Sequence, residues 1–382
     1  MRSTAGSHTG RTLAVLHPAF ALTGVLHVVG GPLLPSLAAR FHLNDSQSGL
    51  LFLLYFVGTS LGALLCRGNY ARKMALGFLA AAACCVGVAA ASPPLLPLVF
   101  LLLGISVGMP MSAVTLFVGR NFAERCAPML TFLNFSWSAG ALVAPLLAAR
   151  LLMHHDYRAT YLTLSLAAAV AAVMCGVLLE DAPEPVRPSR ATWDFANLSI
   201  VVVFAFAAFL QVGVENTAVT WLATYVMRSA GSGVVLAAAS TSFYWIGFMG
   251  SRGFSSLLLL RAAPARVARI AVVVALAASV LLAAVPSVAG RSVAMFLLGA
   301  ALAPIYPLII AGLFARVRHT ADSRWVLATA GIGGSVLPWL VGGISARSGS
   351  LRLGILVMPA ALLLIACVQV ALNGRRFAPA AE

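Results

Sequence analysis

The sequence is divided into apolar runs of about 20 residues that are separated by short polar breaks. Twelve such runs can be traced, the first from Leu13 to Leu37 and the last from Leu353 to Leu372. A helix of about 20 residues rises about 30 Å, which is the thickness of the hydrocarbon layer of a membrane. Of the 382 residues, 61% are apolar and only 9% are charged, so a water-facing surface could not be covered. The pattern predicts an all-α polytopic membrane protein with twelve transmembrane helices, and it excludes an ordinary cytosolic enzyme.

The basic residues are distributed unevenly between alternate loops. Eighteen of the 25 fall on the side that holds the N-terminus, the central linker and the C-terminus, and seven fall on the other side. Cytoplasmic loops carry the excess of Arg and Lys, so we expect both termini in the cytoplasm and the chain in the inner (cytoplasmic) membrane. The net charge of +15 therefore indicates topology, and the scattered basic residues do not form a nucleic-acid surface. The lipid bilayer is an expected partner, nucleic acid is not, and we expect a monomer.

Matched segments recur in the two halves of the chain. A polar stretch at 180–197 is interpreted as a cytoplasmic linker between an N-terminal six-helix bundle at 1–179 and a C-terminal six-helix bundle at 198–382. Three segments of the first half match segments of the second half in the same order, at offsets of 189, 195 and 193. They are Tyr55 to Gly58 with Tyr244 to Gly247, Leu102 to Gly104 with Leu297 to Gly299, and Gly140 to Pro145 with Gly333 to Pro338. A parallel repeat of this kind predicts a substrate site near mid-membrane, where the repeats meet.

The loop after the second apolar run resembles a signature of the major facilitator superfamily. It comprises the segment from Gly62 to Arg67 followed by Arg72 and Lys73, and Cys66 stands where that signature has an acid. The resemblance covers essentially the whole chain, and it implies the major facilitator fold and a gating role for Arg67, Arg72 and Lys73. Within the superfamily, two segments are similar to the fucose permease-related sugar symporters. They are Asn134 to Trp137 leading into Gly140 and Pro145, and Val212 to Glu215 followed by Trp221 and Tyr225.

Glu215 is the acid that lies deepest inside an apolar run. It precedes Tyr225 by ten residues, or about 15 Å along a helix, which is half of the hydrocarbon thickness. A carboxylate at that depth costs about 2.5 to 3.5 kcal/mol, so it is a candidate for proton coupling, or else a structural group bonded to a neighbouring helix. His27, near the middle of the first run, is a second candidate because imidazole exchanges protons at physiological pH. Its alternative role is a neutral hydrogen bond between helices.

Amide, hydroxyl and aromatic side chains share helical faces in several runs. Neutral hydrogen-bonding groups and flat apolar rings suit a sugar, although such residues also pack membrane helices together. The candidate substrate-binding residues are Gln211, Asn216, Thr220, Trp221, Asn134, Trp137, Tyr55, Tyr244 and Trp339.

Nucleotide-binding and catalytic motifs are missing from the sequence. The single lysine, Lys73, follows Arg72, so there is no phosphate-binding G-K-[ST] loop, and we expect no cofactor, no metal and no enzymatic activity. The sequence therefore predicts a secondary active transporter that moves a small polar solute, a sugar or a related organic solute, by alternating access. Protons, or alternatively Na⁺, would be the coupling ions. The alternatives are an exporter of drugs or amphipathic metabolites on the same fold and, from another class, a membrane-embedded enzyme or a receptor-like protein.

Overall fold

The computed structural model of the chain describes residues 2–122, 126–180, 198–259, 261–314 and 320–373. Within these ranges every regular element is a helix, as the apolar runs predict. A 3-10 turn at Pro93–Leu95 precedes the fifth α-helix. The α-helices are α1 (Arg2–Val28), α2 (Gly30–Phe41), α3 (Asp45–Leu64), α4 (Tyr70–Ala90), α5 (Leu96–Asn121), α6 (Cys126–Leu152), α7 (Tyr157–Leu178), α8 (Leu198–Ala230), α9 (Val234–Ser240), α10 (Ser242–Leu258), α11 (Pro264–Ala284), α12 (Val288–Leu302), α13 (Ile305–Phe314), α14 (Thr320–Ser348), α15 (Leu351–Ile355) and α16 (Val357–Asn373).

Twelve segments of the described chain are long and apolar enough to cross a membrane. The prediction of twelve transmembrane helices is thereby confirmed. Four of the spans are made of two consecutive helices, namely Gly10–Phe41, Val234–Ser255, Val288–Leu313 and Leu351–Val370. The interpretation of 180–197 as a linker lies outside the described residues, except for Glu180.

Side chains at the loops determine where several helices begin. Ahead of α3, the backbone N–H of Gln47 donates to Oδ1 of Asn44, and the backbone N–H of Asn44 donates to Oε1 of Gln47, both at 2.9 Å. This reciprocal pair satisfies two donors that the first helical turn leaves free. Asn69, Asp156 and Ser287 cap α4, α7 and α12 by accepting a backbone N–H in the same way.

The chain forms two compact units. Unit 1 comprises Met1–His42, Leu54–Val186 and Val234–Ala239, and its main helix pairs are α4 with α7, α4 with α5 and α1 with α6. Unit 2 comprises Leu43–Leu53, Arg187–Gly233 and Ser240–Glu382, and its main pairs are α8 with α14, α10 with α12 and α11 with α12.

Glycines let helices touch at corresponding places in the two units. In unit 1, a Cβ on Gly104 of α5 would collide with the carbonyl oxygen of Tyr55 on α3. In unit 2, a Cβ on Gly299 of α12 would collide with the carbonyl oxygen of Tyr244 on α10. These residues belong to the segments that match between the halves of the sequence, so the internal repeat recurs as a repeated backbone contact.

Candidate functional site

Glu215 lies on α8 in unit 2, inside a membrane span, with part of its surface open. Its carboxylate is within electrostatic reach of the Arg252 guanidinium on α10. The hydroxyl groups of Tyr244 on α10 and Tyr306 on α13 are within the same reach. Three helices thus bring one acid, one base and two phenols together in the apolar part of unit 2. From its place near the end of an apolar run, Arg252 would be expected to extend to the membrane surface, but in the structure its guanidinium lies within electrostatic reach of Glu215.

Aromatic rings hold Arg252 and Tyr244 in place. The guanidinium carbon of Arg252 lies 4.5 Å from the centre of the Phe248 ring, a cation–π geometry. The ring of Tyr244 meets Trp245 edge-on at 5.1 Å and approaches Phe248 at 5.8 Å. The Tyr244 hydroxyl is buried and has no hydrogen-bond partner among the described residues, so it can bond to a water molecule or a ligand.

Gln211, one turn before Glu215 on α8, reaches the break between α12 and α13. Its Nε2 donates to the carbonyl oxygen of Leu302, the last residue of α12, at 3.2 Å. Its Oε1 is buried and has no partner in the described part of the chain. Pro304 at the break and Pro307 in α13 cannot donate a backbone N–H, which releases carbonyl groups from the helix. The carbonyls released are those of Ala300 and Ala303. The Gln211 amide bonds to the neighbouring carbonyl of Leu302, and its own oxygen stays free as an acceptor.

Two other candidates on α8 lie against α14, the helix that packs most extensively on it. Asn216 donates to the carbonyl oxygen of Gly334 at 3.2 Å, and the indole of Trp221 donates to that of Pro338 at 2.9 Å. Thr220 is fully buried on the same helix. The amide and the indole are thus engaged in joining the two helices. Trp339 of α14 is 42% exposed, and its backbone lies about 3 Å from where a Cβ on Gly49 would be.

His27 of unit 1 is surrounded by aromatic rings. The ring centres of Phe56, Trp137 and Tyr55 lie 5.5, 5.8 and 5.9 Å from the imidazole centre. The Tyr55 hydroxyl donates to the carbonyl oxygen of Leu26 at 3.2 Å. Nδ1 of His27 is buried without a hydrogen-bond partner among the described residues. The three predicted residues His27, Tyr55 and Trp137 are therefore brought together, and Phe56 completes the cluster.

His27 and Glu215 occupy equivalent positions in the two units. In unit 1, a Cβ on Gly140 would collide with the backbone of Ala21, and His27 follows Ala21 by six residues. In unit 2, a Cβ on Gly333 would collide with the backbone of Phe209, and Glu215 follows Phe209 by six residues. Each group also faces the tyrosine of the matched segment, Tyr55 for His27 and Tyr244 for Glu215. The repeat therefore places a titratable side chain at the same point of each unit.

The remaining candidates lie apart from these two clusters. Asn134 on α6 is exposed, and its amide donates to the carbonyl oxygen of Leu130 at 2.9 Å. Arg67 and Arg72 are exposed and Lys73 is partly exposed, at the turn between α3 and α4. That turn is held by a residue that the sequence did not indicate, Arg120.

Arg120 joins the end of α5 to the turn before α4. Its Nη1 donates to the carbonyl oxygen of Gly68 at 2.9 Å, and its guanidinium carbon lies 4.0 Å from the centre of the Tyr70 ring. The turn that resembles the family's loop signature is thus held in place by Arg120 of α5.

Sequence reasoning also missed a charged cluster in unit 2. Asp45, the first residue of α3, pairs with Arg228 at 2.7 Å and accepts a hydrogen bond from the Ser345 hydroxyl at 2.5 Å. The Asp45 side chain is only 10% exposed. A single acid at a helix start resembles an ordinary cap, and residues so far apart in the chain offer no local signal. Tyr306 could have been found, because two prolines flank it and mark a broken membrane helix.

Twelve helical spans arranged as a repeat, with a carboxylate, a guanidinium and tyrosines inside them, define a membrane transporter. The chain belongs to the Major Facilitator Superfamily, whose family model matches residues 16–323. It is therefore a multi-pass membrane transporter and not an enzyme.

A glucose/galactose transporter of Brucella abortus biovar 1 (strain 9-941) is 26% identical over 375 residues, which cover 89% of each chain. Three solved transporters share the fold over 95% of this chain. They are the nucleoside transporter NupG (12% identity, TM-score 0.77, 100% of that chain), a D-xylose-proton symporter (13%, 0.75, 97%) and FucP in the outward conformation (16%, 0.62, 99%).

Proposed function

We propose that the protein is a proton-coupled transporter of a sugar or a related neutral solute, which works by alternating access in the cytoplasmic membrane with both termini in the cytoplasm. The observation that carries this proposal is the group formed by Glu215, Arg252, Tyr244 and Tyr306 inside unit 2. The membrane and the orientation follow from the excess of basic residues on one side of the chain.

Proton coupling requires a group whose charge changes and a neighbour that responds to the change. Glu215 with Arg252 meets both requirements, because the charged carboxylate compensates the guanidinium and the protonated carboxyl does not. In an apolar span an uncompensated charge is costly, so binding a proton changes which arrangement of α8 and α10 is stable. Among the described residues of unit 2, Tyr244 and Tyr306 are the other titratable groups within reach of the carboxylate. A change in protonation can thereby drive a change in conformation.

A sugar needs flat apolar surfaces for its C–H faces and neutral hydrogen-bonding groups for its hydroxyls. Within unit 2, the ring of Tyr244 offers an apolar face, and the free atoms of Gln211 and Tyr244 offer hydrogen-bonding groups. Tyr55 and Trp137 of unit 1 stay predictions for the apolar surface. The relative in Brucella abortus is a glucose/galactose transporter, which supports this class of substrate. Asn216, Thr220, Trp221, Asn134 and Trp339 stay predictions, and the hydrogen bonds of Asn216 and Trp221 favour a structural role for them.

The experiment is uptake of radiolabelled glucose and galactose into proteoliposomes that contain the purified protein. We expect accumulation when the outside is more acidic than the inside, and only slow equilibration without the gradient. A parallel arm replaces the pH gradient with a Na⁺ gradient and is expected to give no accumulation. If neither sugar is taken up and neither inhibits the movement of amphipathic drugs, while those drugs are transported, the protein is an exporter and the proposal is wrong.

A further inference from the structure

Unit 1 carries an open groove on its surface, between α4 and α7. Its volume is about 800 Å³. The lining is apolar along most of its length, with Leu76, Leu79 and Val173 as walls. These side chains are 45%, 58% and 65% exposed within helices that span the membrane, so they face acyl chains.

Small residues form the floor of the groove. Ala75 of α4 and Gly176 of α7 both line it, and a Cβ on Gly176 would lie 3.4 Å from the Cβ of Ala75. The two helices are therefore in contact along the floor, and a chain that enters the groove is held between the walls. From Arg72 at one end to Leu79, the groove runs seven residues along α4, or about 10 Å, a third of the hydrocarbon thickness.

Opposite charges lie at one end of the groove. Arg72 stands in the first turn of α4, and Glu180 follows the end of α7. Both are exposed, and in the described part of the chain neither side chain forms an ion pair. The two groups offer a guanidinium, which binds phosphate through two parallel hydrogen bonds, and a carboxylate, which accepts from an ammonium group.

We propose that this groove binds a phospholipid with a phosphoethanolamine headgroup, its phosphate on Arg72, its ammonium on Glu180 and one acyl chain along Leu76, Leu79 and Val173. The charges select this headgroup. A phosphoglycerol headgroup has no cation for Glu180 and offers it only neutral hydroxyl groups, and the methylated ammonium of phosphocholine cannot donate a hydrogen bond to it.

The test is native mass spectrometry of the purified full-length protein after exchange into mixed micelles with equal amounts of dioleoyl phosphatidylethanolamine, phosphatidylcholine and phosphatidylglycerol. We expect retained phosphatidylethanolamine to exceed each of the others on the order of tenfold, the effect of one charge-assisted hydrogen bond. Equal retention of the three lipids by the unaltered protein would overturn the proposal, and so would a preference for phosphatidylglycerol.

Three variants assign the site. Arg72→Gln should reduce retention of all three lipids, because each carries a phosphate. Glu180→Gln should keep lipid binding but lose the preference for phosphatidylethanolamine over the other two lipids. Ala169→Leu, which fills the groove and leaves both charges, should reduce retention of all three lipids. Arg266→Gln, an exposed arginine on α11, is the matched control and should behave as the unaltered protein. A preference that survives the combined Arg72→Gln and Glu180→Gln changes would show that the lipid binds elsewhere.

Discussion

The carbonyl oxygen of Tyr55 occupies the place where a Cβ on Gly104 would be, so α3 and α5 touch through their backbones. The same relationship joins Tyr244 and Gly299 in unit 2. Both tyrosines belong to the clusters that hold the proposed proton-exchanging groups. The contact that brings the helices together therefore also positions the Tyr55 and Tyr244 rings beside His27 and Glu215.

Gly104→Ala and Gly299→Ala should each lower the stability of the protein, because the added methyl group must push two helices apart. Overpacking of this kind costs about 1 to 3 kcal/mol. The measurement is the midpoint of thermal unfolding in detergent. Gly250→Ala on α10 is the control, since a Cβ there meets open space, and its midpoint should not change. Similar midpoints for all three variants would contradict the close contact.

Asp45→Asn should destabilise the protein because the side chain loses its ion pair with Arg228. It also loses the negative charge on the oxygen that accepts the hydrogen bond from the Ser345 hydroxyl. Hydrogen bonds to charged groups contribute about 1.5 to 3 kcal/mol. Arg228→Gln should cost less, at most about 1 kcal/mol, because the Arg228 side chain is 41% exposed.

The control for Asp45→Asn is Asp156→Asn. The ion pair of Asp156 with Arg158 is long, at 3.8 Å, and both side chains are exposed. Asparagine also caps a helix about as well as aspartate, so α7 keeps its start. The two variants are compared by the midpoint of thermal unfolding. An equal shift of the midpoint in both would show that the Asp45 cluster adds no more stability than an exposed ion pair.

Trp221→Phe should lower stability by about 1 kcal/mol, the value of one hydrogen bond, because the indole N–H donates to Pro338. Once uptake is normalised to folded protein, we expect the apparent affinity for sugar to be unchanged. Trp339→Phe makes the same chemical change at an exposed indole and should leave stability unaltered. A large loss of affinity in Trp221→Phe, with stability intact, would instead assign Trp221 to the substrate site.

The apolar runs and the matched segments were enough to predict the spans and the repeat, because membrane thickness and helix contact impose them locally. The breaks at Pro304 and between α9 and α10 were not predicted, since a membrane helix tolerates a break only where its neighbours accommodate the backbone. Glu215 was chosen as a candidate by its depth in the span, and its role stays a prediction. The sequence did not predict that Arg252 lies near Glu215 or that Asn216 bonds to α14. Both contacts depend on which faces of the helices meet, and a single sequence does not contain that information.

The central claim is that protonation of Glu215 couples transport to the proton gradient. Glu215→Gln keeps the size and the hydrogen-bonding capacity of the side chain but holds it permanently uncharged. We expect this variant to exchange labelled for unlabelled sugar across the proteoliposome membrane, and to lose accumulation driven by an acidic exterior.

Asp156→Asn, a carboxyl-to-amide change outside the membrane spans, should keep both activities. The most direct measurement is therefore the ratio of gradient-driven accumulation to exchange in Glu215→Gln and in the unaltered protein. We expect the ratio to fall to the level seen without a gradient. An unchanged ratio, with the same dependence on pH, would contradict this expectation.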